Sequence, residues 1–216
     1  MKKKVIIVSI VLIIIIILVC VLICLSRKPN IKIYNPKEGQ AFSESGLFID
    51  VNGIYPRELL TKENLIVSGI PDNIAENIVS KIRSNNAIIL KFSEQDNQTI
   101  NELYFDYVIC DENQNILGST SQIHYKDYMP IKKAVIKMLF NTYNVKDWDK
   151  HINYSQSSND LFYDTNSVYT LINIDSKISD INRLKILVIN PKYKNNSGES
   201  ISLDNTIIKL EGSVNK

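Results

Sequence analysis

Hydrophobic and polar positions divide the chain into one unbroken apolar run and a long alternating remainder. The run covers residues 5–25, which are 21 residues without a charge. A helix rises about 1.5 Å per residue, so this run would be roughly 32 Å long, enough to cross a bilayer core of about 30 Å. Backbone amides inside lipid must bond within their own segment. The pattern therefore predicts a single transmembrane helix over residues 5–25, despite the many β-branched isoleucines.

Beyond the run, short segments alternate apolar and polar positions, which is the period of strands with one buried face. The clearest hairpin is LYFDYVICDENQNILGS, in which residues 103–109 alternate, residues 111–115 supply a turn and a return strand begins at Ile116. Other apolar or alternating segments predict strands at 31–33, 47–51, 65–69, 87–92, 168–174, 184–189 and 206–210. Polar segments predict loops at 93–99, 141–160 and 191–200.

Two segments place apolar residues at helical spacing instead. In residues 73–84 three isoleucines fall on one face, and Asp72 is predicted to cap the helix. Residues 130–140 form a second stripe, with Pro130 suited to the first helical position. A twisted strand is the alternative there, because residues 135–140 are mostly apolar, but we favour the helix. The outer face of this second helix carries three lysines: Lys132, Lys133 and Lys137.

The flanks of the apolar run indicate that it is retained. A cleavable signal has a core of about 7–15 apolar residues followed by a small-x-small site. This run is longer and ends without such a site. A lipoprotein signal needs a small residue before the lipidated cysteine, whereas Val19 precedes Cys20 and Ile23 precedes Cys24. We therefore expect a retained anchor.

The orientation of this anchor depends on what lies on each side. Basic residues are nearly balanced, at positions 2–4 before the run and at 27, 28 and 32 after it. The bulk of the chain lies beyond the run, which favours an inside tail and an outside domain. The expected plan is a cytoplasmic tail over 1–4, a transmembrane helix over 5–25, a linker over 26–34 and an extracytoplasmic β-rich domain over 35–216.

Charge and composition narrow the classes of partner. The chain carries a net charge of +2, but five of its 25 basic residues flank the run at positions 2–4, 27 and 28. Residues 29–216 therefore carry 20 basic against 23 acidic residues, a net charge of −3. Nucleic acid binding needs clustered Lys and Arg, so no nucleic acid partner is expected. The abundance of isoleucine (36) and asparagine (24) indicates an AT-rich genome, such as that of a low-GC Gram-positive bacterium.

The order of features in the second half is similar to that of a known group of domains. An aromatic-rich strand enters an acidic turn (FDYVICDENQNILGS), Trp148 follows, and then come an apolar strand (INRLKILVINP), a polar loop and the closing phrase ISLDNTIIKLEG. Residues 100–212 thus resemble jelly-roll carbohydrate-binding modules and galactose-binding-like domains. The resemblance implies a two-sheet β-sandwich that binds glycans. It also implies a structural calcium ion held in part by Asp204, although calcium takes about six to eight oxygen ligands and the sequence identifies no others.

Three aromatic residues are candidates for sugar contacts. A pyranose ring stacks its apolar face on an exposed aromatic ring, and nearby Asp, Asn or Gln side chains bond its hydroxyls. Trp148 and Tyr154 lie in the polar segment VKDWDKHINY, and Tyr163 follows nine residues later. The alternative for Trp148 is a core position in which the indole N–H finds one partner.

Catalytic motifs do not accompany these aromatics. The chain has no G-x-S-x-G, H-E-x-x-H, P-loop or Rossmann glycine pattern. His124 and His151 lie 27 residues apart and lack the spacing of metal ligands. Cys110 ends an alternating strand, so we interpret it as a small buried hydrophobe and not as a nucleophile.

The sequence therefore predicts a mainly β protein: a jelly-roll-like β-sandwich with two amphipathic helices, preceded by a single transmembrane helix. We expect a non-catalytic, membrane-anchored extracytoplasmic module that binds glycan or cell-envelope material and needs no cofactor beyond the calcium that the resemblance implies. The alternative is a protein-interaction or assembly subunit of an envelope, secretion or sporulation complex.

Overall fold

A computed structural model describes residues 12–20, 31–34, 42–44, 46–82, 86–94, 99–120, 129–142, 146, 150, 159–174 and 183–210. The chain divides into two compact units, Met1–Asn30 and Ile31–Lys216. In the first unit residues 12–20 form a helix, α1. None of the helices in the described ranges is both long and apolar enough to cross a membrane. Residues 5–11 and 21–25 lie outside those ranges, so the spanning helix stays a prediction.

The described part of the second unit contains two sheets. Its strands are β1 (Ile31–Tyr34), β2 (Phe42–Glu44), β3 (Leu47–Pro56), β4 (Asn86–Glu94), β5 (Glu102–Cys110), β6 (Ile116–Ser119), β7 (Asn159–Tyr163), β8 (Ser167–Ile174), β9 (Lys185–Lys194), β10 (Ser200–Ser202) and β11 (Asn205–Lys209). Sheet A has the order β1-β11-β9-β5-β6, with β10 also paired to β9, and sheet B has the order β2-β3-β4-β8-β7. The β1–β11 pair is parallel and the other described pairs are antiparallel.

Helices cover the outer faces of both sheets. They are a 3-10 turn at Arg57–Leu59, α2 (Lys62–Val67), α3 (Asp72–Lys81) and α4 (Met129–Phe140). The central core lies between the sheets and includes Ile88 of β4 and Val188 of β9. A second core joins the outer face of sheet B to α2 and α3, and a third joins the outer face of sheet A to α4. The order of layers is helices, sheet B, sheet A, helix.

Alternation along the strands produces these layers. In β4, Ile88 and Leu90 face the central core, whereas Ala87 and Ile89 face α3. Strand side chains point to opposite faces at successive positions, so a strand covered on both faces is buried along its whole length, whether its residues are apolar or polar. β8 is of this kind, since all eight of its residues are buried.

The mainly β prediction, the 103–119 hairpin and the two amphipathic helices are confirmed. The strand predicted at 65–69 is wrong, because residues 62–67 form α2, capped by the Thr61 hydroxyl, which accepts a bond from the Asn64 N–H at 3.2 Å. The cap assigned to Asp72 is also wrong, since α3 begins at Asp72 and Pro71 occupies the capping position.

All three predicted loops contain strand residues. Residues 93–94 are the last two of β4. Residues 191–194 continue β9, and residues 200–202 form β10, so only the turn between them was predicted correctly. Residues 159–160 begin β7, at the end of the segment that was expected to be irregular. The strand predicted at 31–33 is confirmed, since residues 31–34 form β1 and pair with β11.

Candidate functional site

One part of the outer face of sheet A lies beyond the area that α4 covers. α4 packs on Val108, Leu187 and their neighbours. Farther along the same strands, β5 and β9 continue and β10 joins them. Two rows of paired residues cross the three strands there: Glu102–Lys194–Ser200 and Tyr104–Lys192–Ser202.

These rows face outward because their neighbours in the strands face inward. Leu103 and Phe105 of β5 and Tyr193 of β9 all pack in the central core. Successive strand residues point to opposite faces, so Tyr104 and Lys192 lie on the outer face. The exposed fraction of Tyr104 is 59 %. Tyrosine combines an apolar ring with a polar hydroxyl, so the exposed Tyr104 presents an aromatic face to solvent.

A β-bulge shapes the surface next to the rows. The register of β5 and β9 shifts between Tyr104 and Asp106, where Asn190 and Pro191 enter β9. Asn190 has a φ of 50°, and its N–H donates to Asn205 Oδ1 at 2.7 Å. Pro191 has no N–H to donate to a ladder. The bulge bends the strand pair, and an open cleft of about 800 Å³ lies here. We call it the β5–β9 cleft; its polar and aromatic lining includes Glu102, Tyr104, Asp106, Asn190, Lys192 and Lys194.

Hydrogen bonds hold the Tyr104 ring in place. Its hydroxyl donates to Glu102 Oε2 at 2.8 Å, and Lys194 Nζ lies 2.9 Å from the same oxygen. Lys194 first, and then Tyr104, lower the pKa of the Glu102 carboxyl by bonding to its charged form. The same bonds raise the pKa values of Tyr104 and Lys194. The chain Lys194–Glu102–Tyr104 therefore consists of a cation, an anion and a neutral phenol over the ordinary pH range.

A second carboxylate lies on the other side of the bulge. Asp106 is half-buried and accepts a bond from Thr120 Oγ1 at 2.9 Å. Desolvation raises the pKa of Asp106, and the Thr120 bond opposes part of that shift. Lys192 is exposed, and no described acidic side chain lies within ion-pair distance of it. The cleft thus offers an aromatic ring, two carboxylates and an ammonium group that no described carboxylate neutralises.

Tyr163, predicted to bind sugar, lies at the edge of this cleft. It ends β7 and has an exposed fraction of 45 %. Its hydroxyl accepts a bond at 3.1 Å from the N–H of Leu103, which lines the cleft. Tyr163 is therefore not a core residue, and its role in binding sugar stays a prediction. Trp148 and Tyr154, the other two predicted residues, lie outside the described residues.

The calcium predicted at Asp204 stays a prediction. Asp204 is half-buried and follows Leu203 at the cleft, and its carbonyl accepts a bond from Thr206 Oγ1 at 3.3 Å. Within the described ranges, no three His, Cys, Asp or Glu side chains form a group that could hold a metal ion. His124 and His151 lie outside those ranges.

Cys110 has the environment of a core residue. It is fully buried between sheet A and α4, and burial raises the pKa of its thiol to about 12. Nucleophilic catalysis needs the thiolate, which this environment disfavours. The interpretation of Cys110 as a buried hydrophobe is confirmed.

Sequence reasoning missed the cleft residues Tyr104, Glu102 and Lys192. A signal was present: in LYFDY the apolar positions 103, 105 and 107 mark the inner face, which leaves an aromatic and an aspartate on the outer one. Lys192 and Lys194 were missed because residues 191–194 were expected to form a loop. A loop has no strand partner, so no pairing with β5 was predicted.

Comparisons with known proteins add no relative. The chain matches no protein-family model, no curated protein and no solved structure at a significant level. The resemblance to jelly-roll carbohydrate-binding domains therefore rests on the sequence order alone.

Proposed function

We propose that this protein is a membrane-anchored extracytoplasmic module that binds glycan or cell-envelope material in the β5–β9 cleft without catalysis. The observation that carries the proposal is the exposed Tyr104 ring, held by its bond to Glu102. The apolar face of a pyranose ring stacks on such a platform. The jelly-roll resemblance of residues 100–212 supports the same function, and the apolar run at 5–25 supports the membrane location.

The network around Tyr104 favours binding because it is formed before any ligand arrives. Ordering a flexible side chain on association costs about 0.5–1.5 kcal/mol. The Glu102 bond to Tyr104 and the Lys194 contact already restrict these side chains in the free protein. Asp106 and Asn190 line the same cleft and supply planar polar groups of the kind that bond sugar hydroxyls. The arrangement is a small aromatic platform with polar groups on both sides.

The two carboxylates suit binding better than glycoside hydrolysis. Their pKa values are shifted in opposite directions, as in an acid and base pair. However, Glu102 and Asp106 are four positions apart on one strand, and four strand residues span about 13 Å. Glycosidase carboxyls lie about 5–9.5 Å apart. Glu102 is also engaged by Lys194 and Tyr104. We therefore propose that these carboxylates accept hydrogen bonds from sugar hydroxyls.

Retention of the full chain on immobilised cell-envelope polysaccharide tests the proposal. The variant Tyr104→Ala removes the platform from an exposed position, so it is expected to fold and to lose retention. The control is Val67→Ala, which trims an apolar side chain of α2 that is 87 % exposed and far from the cleft in sequence. Equal retention of Tyr104→Ala and the unchanged chain would show that the polysaccharide does not bind in the β5–β9 cleft.

A protein-assembly role is the second candidate, favoured by exposed apolar side chains near α2. Leu59, Ile66 and Val67 are 40 %, 41 % and 87 % exposed. A standard protein interface buries about 800 Å² on each partner, far more than three side chains supply. Glycan binding is therefore the better supported function. The assembly role would become the better supported function on two results together. A protein that copurifies with the unchanged chain would be lost in Val67→Asp, and the unchanged chain would not be retained on glycan.

A further inference from the structure

The two outer helix layers differ in charge. α4 carries three lysines and no acidic residue between Met129 and Phe140. The opposite layer, residues 57–81, mixes four acidic with three basic side chains: Glu58, Glu63, Asp72 and Glu76 with Arg57, Lys62 and Lys81. Lys62 there already pairs with Asp72 and Glu76 at 3.1 Å each. The sequence beyond the apolar run is acidic overall, so the lysines of α4 represent a local segregation of positive charge.

The β5–β9 cleft lies on this basic side. α4 packs on the outer face of sheet A, which is the face that carries Tyr104 and Lys192. Glu102 neutralises Lys194, but Lys192 meets no described carboxylate. Lys192 and Tyr104 are direct cross-strand partners, and side chains at such positions start about 4.5–5.5 Å apart at Cβ. An ammonium group that pairs with no carboxylate of the described residues therefore lies beside the aromatic platform.

From this juxtaposition we infer that the ligand of the cleft is an acidic glycan, a sugar polymer with carboxylate or phosphate substituents. The inference rests on the proposed function and specifies its substrate class. The sugar ring stacks on Tyr104 while its anionic group bonds the Lys192 ammonium. The α4 lysines attract the polymer at longer range, so association is faster at low ionic strength than at high.

The test compares two polymers that differ only in charge. Polygalacturonate and its fully methyl-esterified form share one backbone, and the full chain is assayed with both in a mild detergent. We expect about tenfold tighter binding of the acidic polymer, since bonds to charged groups exceed neutral ones by about this factor. Lys192→Gln is expected to remove most of that preference, because it weakens binding of the acid more than binding of the ester. The control Lys81→Gln removes an exposed lysine from the opposite helix layer and should preserve the preference.

A third polymer separates the sources of negative charge. Phosphomannan keeps pyranose rings and carries phosphate in place of carboxylate, so tighter binding than to polygalacturonate would assign the anion as phosphate, and weaker binding would assign it as carboxylate. Both results support the inference if Lys192→Gln weakens them.

The outcomes that overturn the inference differ from those that overturn the proposed function. Equal binding of the acid and the ester, with both weakened in Tyr104→Ala, overturns the acidic class and leaves glycan binding intact. A preference for the acid that survives Lys192→Gln overturns the assignment to the cleft lysine. Failure to bind any of the three polymers overturns both statements.

Discussion

The Tyr104 phenol donates a 2.8 Å hydrogen bond to Glu102, two positions earlier on the same face of β5. Lys194, opposite Glu102 on β9, bonds the same carboxylate. A β-bulge follows Tyr104 and bends the β5–β9 strand pair. These two contacts fix the orientation of the Tyr104 ring on the part of sheet A that α4 does not cover. The proposed glycan site depends on this orientation.

Glu102→Gln is expected to lower the pKa of Tyr104 toward its ordinary value of 10.0, because the carboxylate is the main cause of the upward shift. The amide still accepts a bond, so glycan binding should weaken less than in Tyr104→Ala. The measurement is a pH titration of the tyrosine ring resonances, with Tyr104→Phe to assign the signal. A Tyr104 titration that is identical in both proteins would show that the bond does not exist in solution.

Asp106→Asn is expected to change how stability depends on pH. The pKa of Asp106 is raised above its ordinary value of 3.8, so the folded state holds this proton more tightly than the unfolded state. Stability due to this group is therefore full at low pH and falls as the pH rises from about 4 through the raised pKa. In the Asn variant, the free energy of unfolding should not show this fall. Urea unfolding curves recorded between pH 3.5 and 7 measure it.

The matched change for this prediction is Thr120→Val. Thr120 donates the bond that lowers the Asp106 pKa, so its removal raises that pKa further and should make the fall with pH larger. A fall of the same size in Asp106→Asn and the unchanged chain would mean that other groups cause it.

Much of the fold was predictable from local pattern. The 103–119 hairpin has both strand alternation and a turn that its own residues close: Asp111 accepts from the Asn115 N–H at 2.8 Å, and Gln114 has a φ of 66°. The helix covering of both sheets was not predicted, although the uninterrupted apolar run at residues 87–90 of β4 is typical of a strand with two buried faces. Short α2 was missed because Leu65 and Ile66 fit a strand equally well.

The candidate site was less predictable than the fold. Tyr163 was predicted from its residue type, but the cleft forms only when β9 extends past Pro191 and aligns Lys192 with Tyr104. That alignment joins residues 88 positions apart, and no local signal reports it. Pro191 also suggested a loop, since proline is rare inside paired strands. The bulge is the physical reason that it is tolerated.

Gly53→Ala is expected to destabilise the protein by about 1–3 kcal/mol, the usual cost of overpacking. A Cβ at position 53 would lie 2.4 Å from a ring carbon of Tyr55, whose side chain is only 2 % exposed and cannot swing away. Urea unfolding measures the effect, and adding Tyr55→Leu should recover part of it. The control is Gly69→Ala, where a φ of 83° and empty space give a backbone cost that Tyr55→Leu does not relieve. If Tyr55→Leu relieved the destabilisation equally in Gly53→Ala and Gly69→Ala, or in neither, the packing explanation would be contradicted.

Thr170→Val is expected to stabilise the protein by about 1 kcal/mol. Thr170 is fully buried between the sheets, and its hydroxyl has no hydrogen-bond partner among the described residues. Valine has nearly the same shape and leaves no polar group unsatisfied. The matched control is Thr206→Val, because the buried Thr206 hydroxyl donates to the Asp204 carbonyl at 3.3 Å and its loss should destabilise. A loss of stability in both variants would indicate that Thr170 has a partner after all.

We propose that glycan binds against Tyr104 in the β5–β9 cleft. The most direct measurement follows the tyrosine ring and valine methyl resonances of the full chain during titration with polygalacturonate. We expect the Tyr104 and Tyr163 ring signals to shift along one saturable curve, while the methyl signals of Val67 on the opposite side of sheet B stay unchanged. Saturable binding that leaves the Tyr104 signal in place would contradict the account.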